Sequence, residues 1–181
     1  AYSFYYKKQF DSAIVFFKRA IIVDTAASDA RYYIAKSYYE LDMNEIAIKY
    51  LDSINENTTF IDSIYFLYCD IYHSLDNVNM HNFYADKLID KYPYSHKGYF
   101  EKAVAQVNIP NSLNGVLQPE KNYKCAFDNI SKAIKFSPNN SKCIALRGAI
   151  RYYLYDIDGA LHDFNSVLNK LKKDSLNSEL K

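Results

Sequence analysis

The chain has 181 residues, 49% of them apolar and 17% aromatic, which is ample for a packed core. Its 22 basic and 21 acidic residues leave a net charge of +1, so no surplus of Lys or Arg is available to track a nucleic-acid backbone. No apolar run reaches the roughly 18 residues that a membrane span needs, and the three cysteines, Cys69, Cys125 and Cys143, are odd in number and lack CxxC spacing, which argues against a disulfide framework or a zinc site.

Four glycines and four prolines are too few for a loop-rich or all-β fold, and they fall where helices would be punctuated. An all-α chain is the consequence. Ala1 to Lys8 reads as the back half of a helix, and Phe10 to Asp24 as its partner, with Ala13, Phe17 and Ala20 at helical spacing. Ser28 to Leu41, with Ile34, Ala35 and Tyr38, and Asn44 to Asn57, with Ala47, Leu51 and Ile54, form a second pair. Ala13 and Ala47 are 34 residues apart.

Asp62 to Leu75 opens a third pair, in which Cys69 follows Ala35 by 34 residues and Tyr72 follows Tyr38 by the same number. Its second helix, Val78 to Lys91, carries His81 where an alanine is expected and Ala85 where a large residue is expected, so packing there should be less regular. Tyr92-Pro93 stops it. Ser95 to Asn108 continues the pattern with Ala103, after which the period breaks: Ala103 to Gly148 is 45 residues, 11 more than 34. The extra residues fall in Ile109 to Lys121, which reads as a surface loop with two prolines and a glycine. Tyr123 to Phe136 resumes with Ala126, Ile130 and Ala133.

The cleanest unit is Ser141 to Lys172. It places Ile144, Gly148, Ile150 and Tyr152 on one helix and Ala160, Leu161, Phe164, Val167, Leu168 and Leu171 on another, with Asp156 to Asp158 as the turn. Gly148 and Ala160 sit where the two helices must come close, with Phe164 filling the gap beside them. Small residue, large residue and proline recur together at one spacing, and in this the chain resembles the tetratricopeptide repeat (TPR) family. The resemblance implies a right-handed α-solenoid of antiparallel helical hairpins, with a partial repeat at 1–27 and repeats at 28–61, 62–95, 96–140 (carrying the loop near 109–121) and 141–174. Residues 175–181 are left as a capping segment or a disordered tail. Because Ala1 already lies inside a helical pattern, the N-terminus reads as truncated; a cytoplasmic location is expected, with a periplasmic or lipid-anchored one left open.

The resemblance further implies a protein-interaction scaffold, with a peptide or partner segment held in a concave groove lined by the first helix of each hairpin. Carried over position by position, the partner-binding residues are Tyr5, Tyr32, Lys36, Tyr39, Phe66, Asp70, His73, Lys97, Phe100 and Tyr152, with Tyr33 and Leu67 beside them. The aromatic pairs Tyr5-Tyr6, Tyr32-Tyr33, Tyr38-Tyr39 and Tyr152-Tyr153 sit on adjacent residues about 100° apart on a helix, so one ring of each pair must leave the packing stripe. The clamp with which some family members hold acidic tails needs an Arg where Glu101 stands, so that ligand class is not expected. No nucleotide-binding, HExxH or GxSxG spacing is present, and His73, His81, His96 and His162 stand far apart; neither an enzyme, a cofactor nor a metal is expected. The partner is a protein or peptide, not nucleic acid, with no direct membrane insertion and an undefined oligomeric state. Two alternatives stay open: a small TPR-type chaperone for secreted clients, and a structural assembly component that uses its convex face and ends.

Overall fold

The computed structural model describes residues 1–108, 112–113, 116–117 and 119–179, with side chains described for 1–108 and 122–175. Among these, ten helices follow in order: α1 (Tyr2–Tyr6), α2 (Phe10–Val23), α3 (Ser28–Glu40), α4 (Asn44–Asp52), α5 (Ile61–Ser74), α6 (Val78–Lys91), α7 (His96–Val107), α8 (Pro119–Phe136), α9 (Ser141–Tyr153) and α10 (Ile157–Glu179). They fall into two compact units, Ala1–Asn77 and Val78–Lys181. In the first, α1 to α4 pack each against the next, and α3 also touches α5; in the second, α6 to α10 do the same, and α7 also touches α9. Antiparallel neighbours packed in chain order, with first helices in mutual contact, make this an all-α solenoid fold built from helical hairpins.

Close approach of the paired helices sets the core. Ala35, Cys69 and Ala103 on first helices are fully buried, and Gly148 is buried with them. Ala13, Ala47, Ala126 and Ala160 on second helices are no more than 2% exposed. Larger residues fill the spaces between: Ile14, Phe17, Ala30 and Ile34 form one cluster in the first unit, and Ala126, Ile130, Cys143 and Ile150 form another in the second. At Gly148 a Cβ would lie 2.9 Å from the Phe164 ring and 3.2 Å from Asp163 Cβ, which is the expected role of Gly148 and Phe164.

The hairpin turns carry a device that hydropathy does not reveal. Lys8, Asp42, Asp76 and Tyr155 have φ near +60° (58°, 57°, 51° and 63°), and the first three are 34 residues apart. Each is followed by a backbone N–H that reaches five residues back, from Gln9 to Phe4, Met43 to Tyr38, Asn77 to Tyr72 and Asp156 to Arg151, all at 2.9 Å. That is the left-handed helix stop with its six-to-one hydrogen bond, and it satisfies carbonyls that the helix end leaves over. The turn of the last hairpin is therefore Leu154 to Asp156, earlier than the 156–158 expected, and Asp156 caps α10 by accepting the Gly159 N–H at 3.0 Å.

Other boundaries depart from the sequence pattern for local reasons. Helix α4 ends at Asp52 rather than Asn57, because Asn55 and its neighbours bond the backbone themselves: the Asn55 side chain accepts the Asn57 N–H at 2.9 Å. Helix α8 begins at Pro119 rather than Tyr123, since a proline at the first helical position lacks only an N–H that would be left over anyway. The side chains of the expected surface loop lie outside the described residues; its described backbone is a short antiparallel pair, β1 (Ser112–Leu113) and β2 (Val116–Leu117). Helix α10 runs through Asp174 and Ser175 without a break to Glu179. No described helix is long and apolar enough to cross a membrane.

His81 is buried, and its Nε2 lies 3.1 Å from Glu101 Oε2, so the large residue at a small-residue place brings its own polar partner. Beside it, α6 and α7 close up at Gly98, where a Cβ would lie 2.9 Å from the Ile89 backbone nitrogen and 3.1 Å from Leu88 Cβ. The last hairpin holds a group that the sequence reading missed. Asp163 is fully buried between α9 and α10 and accepts bonds from Arg147 at 2.6 and 2.8 Å and from Arg151 at 3.0 Å. Burial pushes its carboxyl up, but the Arg147 hydrogen bonds and charge, with Arg151 and His162 behind them, win and hold it below the usual carboxylate value.

Two stability outcomes follow. Tyr155 is 89% exposed, so its ring contributes little while its backbone is strained; Tyr155→Gly should raise stability by about 0.5–1 kcal/mol in denaturant melts, and a loss would show that the ring packs. Because the folded Asp163 binds its proton less readily than the unfolded one, its contribution is present above the ordinary aspartate range and is lost as pH falls through that range toward the folded value. Asp163→Asn should cost about 3 kcal/mol at neutral pH and flatten the acid limb of stability against pH; an unchanged acid limb would remove Asp163 from that role.

Candidate functional site

The first helices of the opening unit carry half-buried aromatics, and Tyr5 of α1 still meets Phe10 of α2 at 5.7 Å. On α3, Ile34, Ala35 and Ser37 are buried, which leaves Tyr32, Lys36 and Tyr39 half-buried. Tyr5 of α1 and Phe66 of α5 are half-buried as well, while Asp70 and His73 of α5 are exposed. Adjacent residues on a helix diverge by about 100°, yet Tyr5 and Tyr6, and Tyr32 and Tyr33, still meet edge-on at 5.6 and 5.4 Å. Tyr38 stacks on Tyr50 of α4 at 5.7 Å, and Tyr39 is left beside α5.

Lys36 ties the face together. Its Nζ stands 5.7 Å from the Tyr5 ring centroid and 5.9 Å from the Tyr32 ring centroid, a cation over two π faces. Electrostatics link the same residues. Burial pushes the Tyr32 phenol up to about 12, with Tyr33, Asp70 and Asp62 adding to it. Burial likewise raises Tyr39, with Asp70, Glu40 and Asp42 behind it, and raises Tyr5, with Glu40 and Tyr32 behind it. These tyrosines therefore stay neutral at physiological pH, with the charges of Glu40 and Asp70 disfavouring their ionised form. The result is a strip of four aromatic rings with one ammonium and two carboxylates among them.

Two neighbours assigned to the same strip by position behave otherwise. Tyr33 stacks on the buried Phe17 ring at 5.4 Å and meets Tyr2 edge-on at 4.8 Å, so it is part of the packing. Leu67 is 3% exposed, because the apolar side of α5 is broad: Ile64, Tyr65, Tyr68, Cys69 and Ile71 are buried with it. Tyr68 donates to the Asp52 carboxylate of α4, a buried use of tyrosine that spacing alone does not reveal.

The remaining predicted residues belong to the second unit. Lys97 is exposed at the start of α7, and Phe100 is half-buried against the core around Ala126 and Ile130. Tyr152 is exposed on α9, edge-on to Tyr153 at 5.7 Å, and Tyr153 itself stacks on Tyr123 of α8 at 4.8 Å. Glu101, the residue that departs from the clamp pattern, is engaged with His81.

No protein-family model matches the sequence, and no curated protein matches it in sequence. Solved structures do match. The crystal structure of MamA superposes with a TM-score of 0.74 at 16% identity, covering 96% of this chain and 95% of that one. A MamA fragment from Desulfovibrio magneticus gives 0.75 at 11% identity, covering 94% and 90%. YrrB, described as a TPR protein with an unusual peptide-binding site, gives 0.62 at 12% identity, covering 92% and 80%. A thermophilic TPR protein from Thermus thermophilus gives 0.68 at 17% identity over 79% of this chain and 74% of that one. At these identities the likeness is one of fold, and it extends over nearly the whole chain.

Proposed function

We propose, taking the tetratricopeptide-repeat fold as the premise, that this chain is a protein-interaction module that binds an extended or helical peptide with apolar anchors along the strip formed by α1, α3 and α5. The observation that carries the reading is the strip itself: Tyr5, Tyr32, Lys36 and Tyr39 are half-buried side by side, with Asp70 acting on two of the rings. Tyrosine rings supply rigid, amphipathic contact area with only two torsions to order, which is why they concentrate binding energy. Lys36, Glu40 and Asp70 would set the register of the peptide through charge and hydrogen bonds. A fold neighbour described as having a peptide-binding site supports the same class of role.

The reading favours contact over long-range attraction. With a net charge of +1 the chain offers no strong field to steer a partner, so affinity should change little between low and physiological salt. The same surface offers no catalytic constellation among the described residues of the strip, and a binding role without chemistry is what it suits best.

Binding and folding should separate in the same variants. Tyr39→Ala and Phe66→Ala are each expected to cost about 2 kcal/mol of affinity for a selected peptide, read by calorimetry. Their thermal stability should fall far less than that of Ala47→Asp, which places a charge in the fully buried Ala47 position. If the ring removals unfold the protein as readily as Ala47→Asp, the rings are core and the strip is not a binding surface.

A further inference from the structure

Helix α10 carries an apolar stripe of which its own hairpin uses only the edge of Phe164, against Gly148. Ile157, Leu161, Phe164, Leu168 and Leu171 recur at helical spacing, and their exposures run from 37% to 55%. The side of α10 that meets α9 is centred next to the stripe, on the buried Ala160 and Asp163. Internal repetition says what such a stripe is for. The residues 34 positions before Leu161, Phe164 and Leu168 are Phe127, Ile130 and Ile134 of α8, and these pack with Cys143, Leu146 and Ile150 of α9 in one core. In the first unit Ile14, Phe17 and Ile21 of α2 pack with Ala30, Tyr33 and Ile34 of α3 in the same way. The stripe on α10 is thus the surface that elsewhere in this chain lies beneath a further helix.

We propose that a second copy of the chain covers it, α10 against α10 in antiparallel pairing about a twofold axis near Asn165. Charge along the helix selects this occupant and this direction. Asp156 and Asp158 flank the first residue of α10, and Lys170, Lys172 and Lys173 stand in its second half, all exposed. Asp158 and Lys172 lie seven residues on either side of Asn165. Both sit about 60–100° round from the centre of the stripe, on the same side of it. A twofold axis perpendicular to the helices then brings each Asp158 to the Lys172 of the other copy, whereas parallel pairing would set like charges together. With a rise of about 1.5 Å per residue, Leu161 of one copy falls between Leu168 and Leu171 of the other, and the two Phe164 rings flank the axis. The helix dipoles also oppose favourably in this arrangement. A net charge of +1 puts no overall repulsion between copies.

Sedimentation equilibrium of the 181-residue chain over about 1–100 micromolar reads the outcome directly. The expected result is a reversible monomer–dimer equilibrium that Leu168→Glu shifts to monomer by at least tenfold in Kd, with an unchanged circular-dichroism spectrum and, at concentrations where both chains are monomeric, an unchanged melting temperature, since Leu168 is half-exposed. Asp158→Lys alone and Lys172→Asp alone should each weaken the dimer, and the double exchange should restore it. A chain that stays monomeric across the range, a dimer indifferent to Leu168→Glu, or a double exchange that fails to restore association would each overturn the proposal. The second of these would assign self-association to another face, and the third would rule out antiparallel pairing.

Discussion

Everything in this molecule depends on how near two helices of a hairpin can come. Ala13, Ala35, Ala47, Cys69, Ala103, Ala126, Gly148 and Ala160 have almost no side chain to hold the backbones apart, and all are buried. Where the backbones close up, large residues one turn away are forced into contact, as Phe164 is against Gly148. The left-handed stops at Lys8, Asp42, Asp76 and Tyr155 turn the chain back at the length that puts the small residues opposite one another. Spacing and stop together make one hairpin resemble the next. A long array of similar hairpins then needs few long-range instructions, because each buries its apolar side on a neighbour in sequence.

Binding follows from the same geometry. A first helix in such a hairpin gives one side to its partner and leaves another to solvent. Two tyrosines in a row can be divided between the hairpin and the open strip. Tyr38 and Tyr39 divide in this way, with Tyr38 stacked on α4 and Tyr39 near the Asp70 carboxylate. Lys36 then lies over Tyr5 and Tyr32 and keeps a cation among rings that would otherwise be only apolar. Selectivity in the proposed role would come from that mixture, since rings give area and the few charges give direction.

Much of the fold was legible because period is the loudest signal a repeat chain carries. The helix pairs, the small residues and the Gly148–Phe164 contact all follow from spacing in the sequence. What was not legible depends on local polar chemistry or on neighbours far away in sequence. The early end of α4 comes from Asn55 competing for backbone N–H groups, and the start of α8 comes from Pro119 at a helix entrance. The Asp163–Arg147–Arg151 group was hidden because charged residues on a helix normally face water, and only the paired helix shows that Asp163 is enclosed. At the strip, adjacency of aromatics says only that one ring of a pair leaves the packing stripe, and it could not reveal that Tyr33 serves Phe17 or that α5 buries Leu67. Deciding which ring of a pair faces outward needs the width of the neighbouring helix, which no local pattern contains.

The most direct test of the binding account is to select peptides against the whole chain from an unbiased library, and to map the tightest one by amide hydrogen exchange and ring-proton shifts. The account predicts protection along Tyr32 to Tyr39 of α3 and Phe66 to His73 of α5, with shifted ring signals for Tyr5, Tyr32 and Tyr39. Protection concentrated on α2, α4 or α10, with those ring signals unmoved, would contradict it.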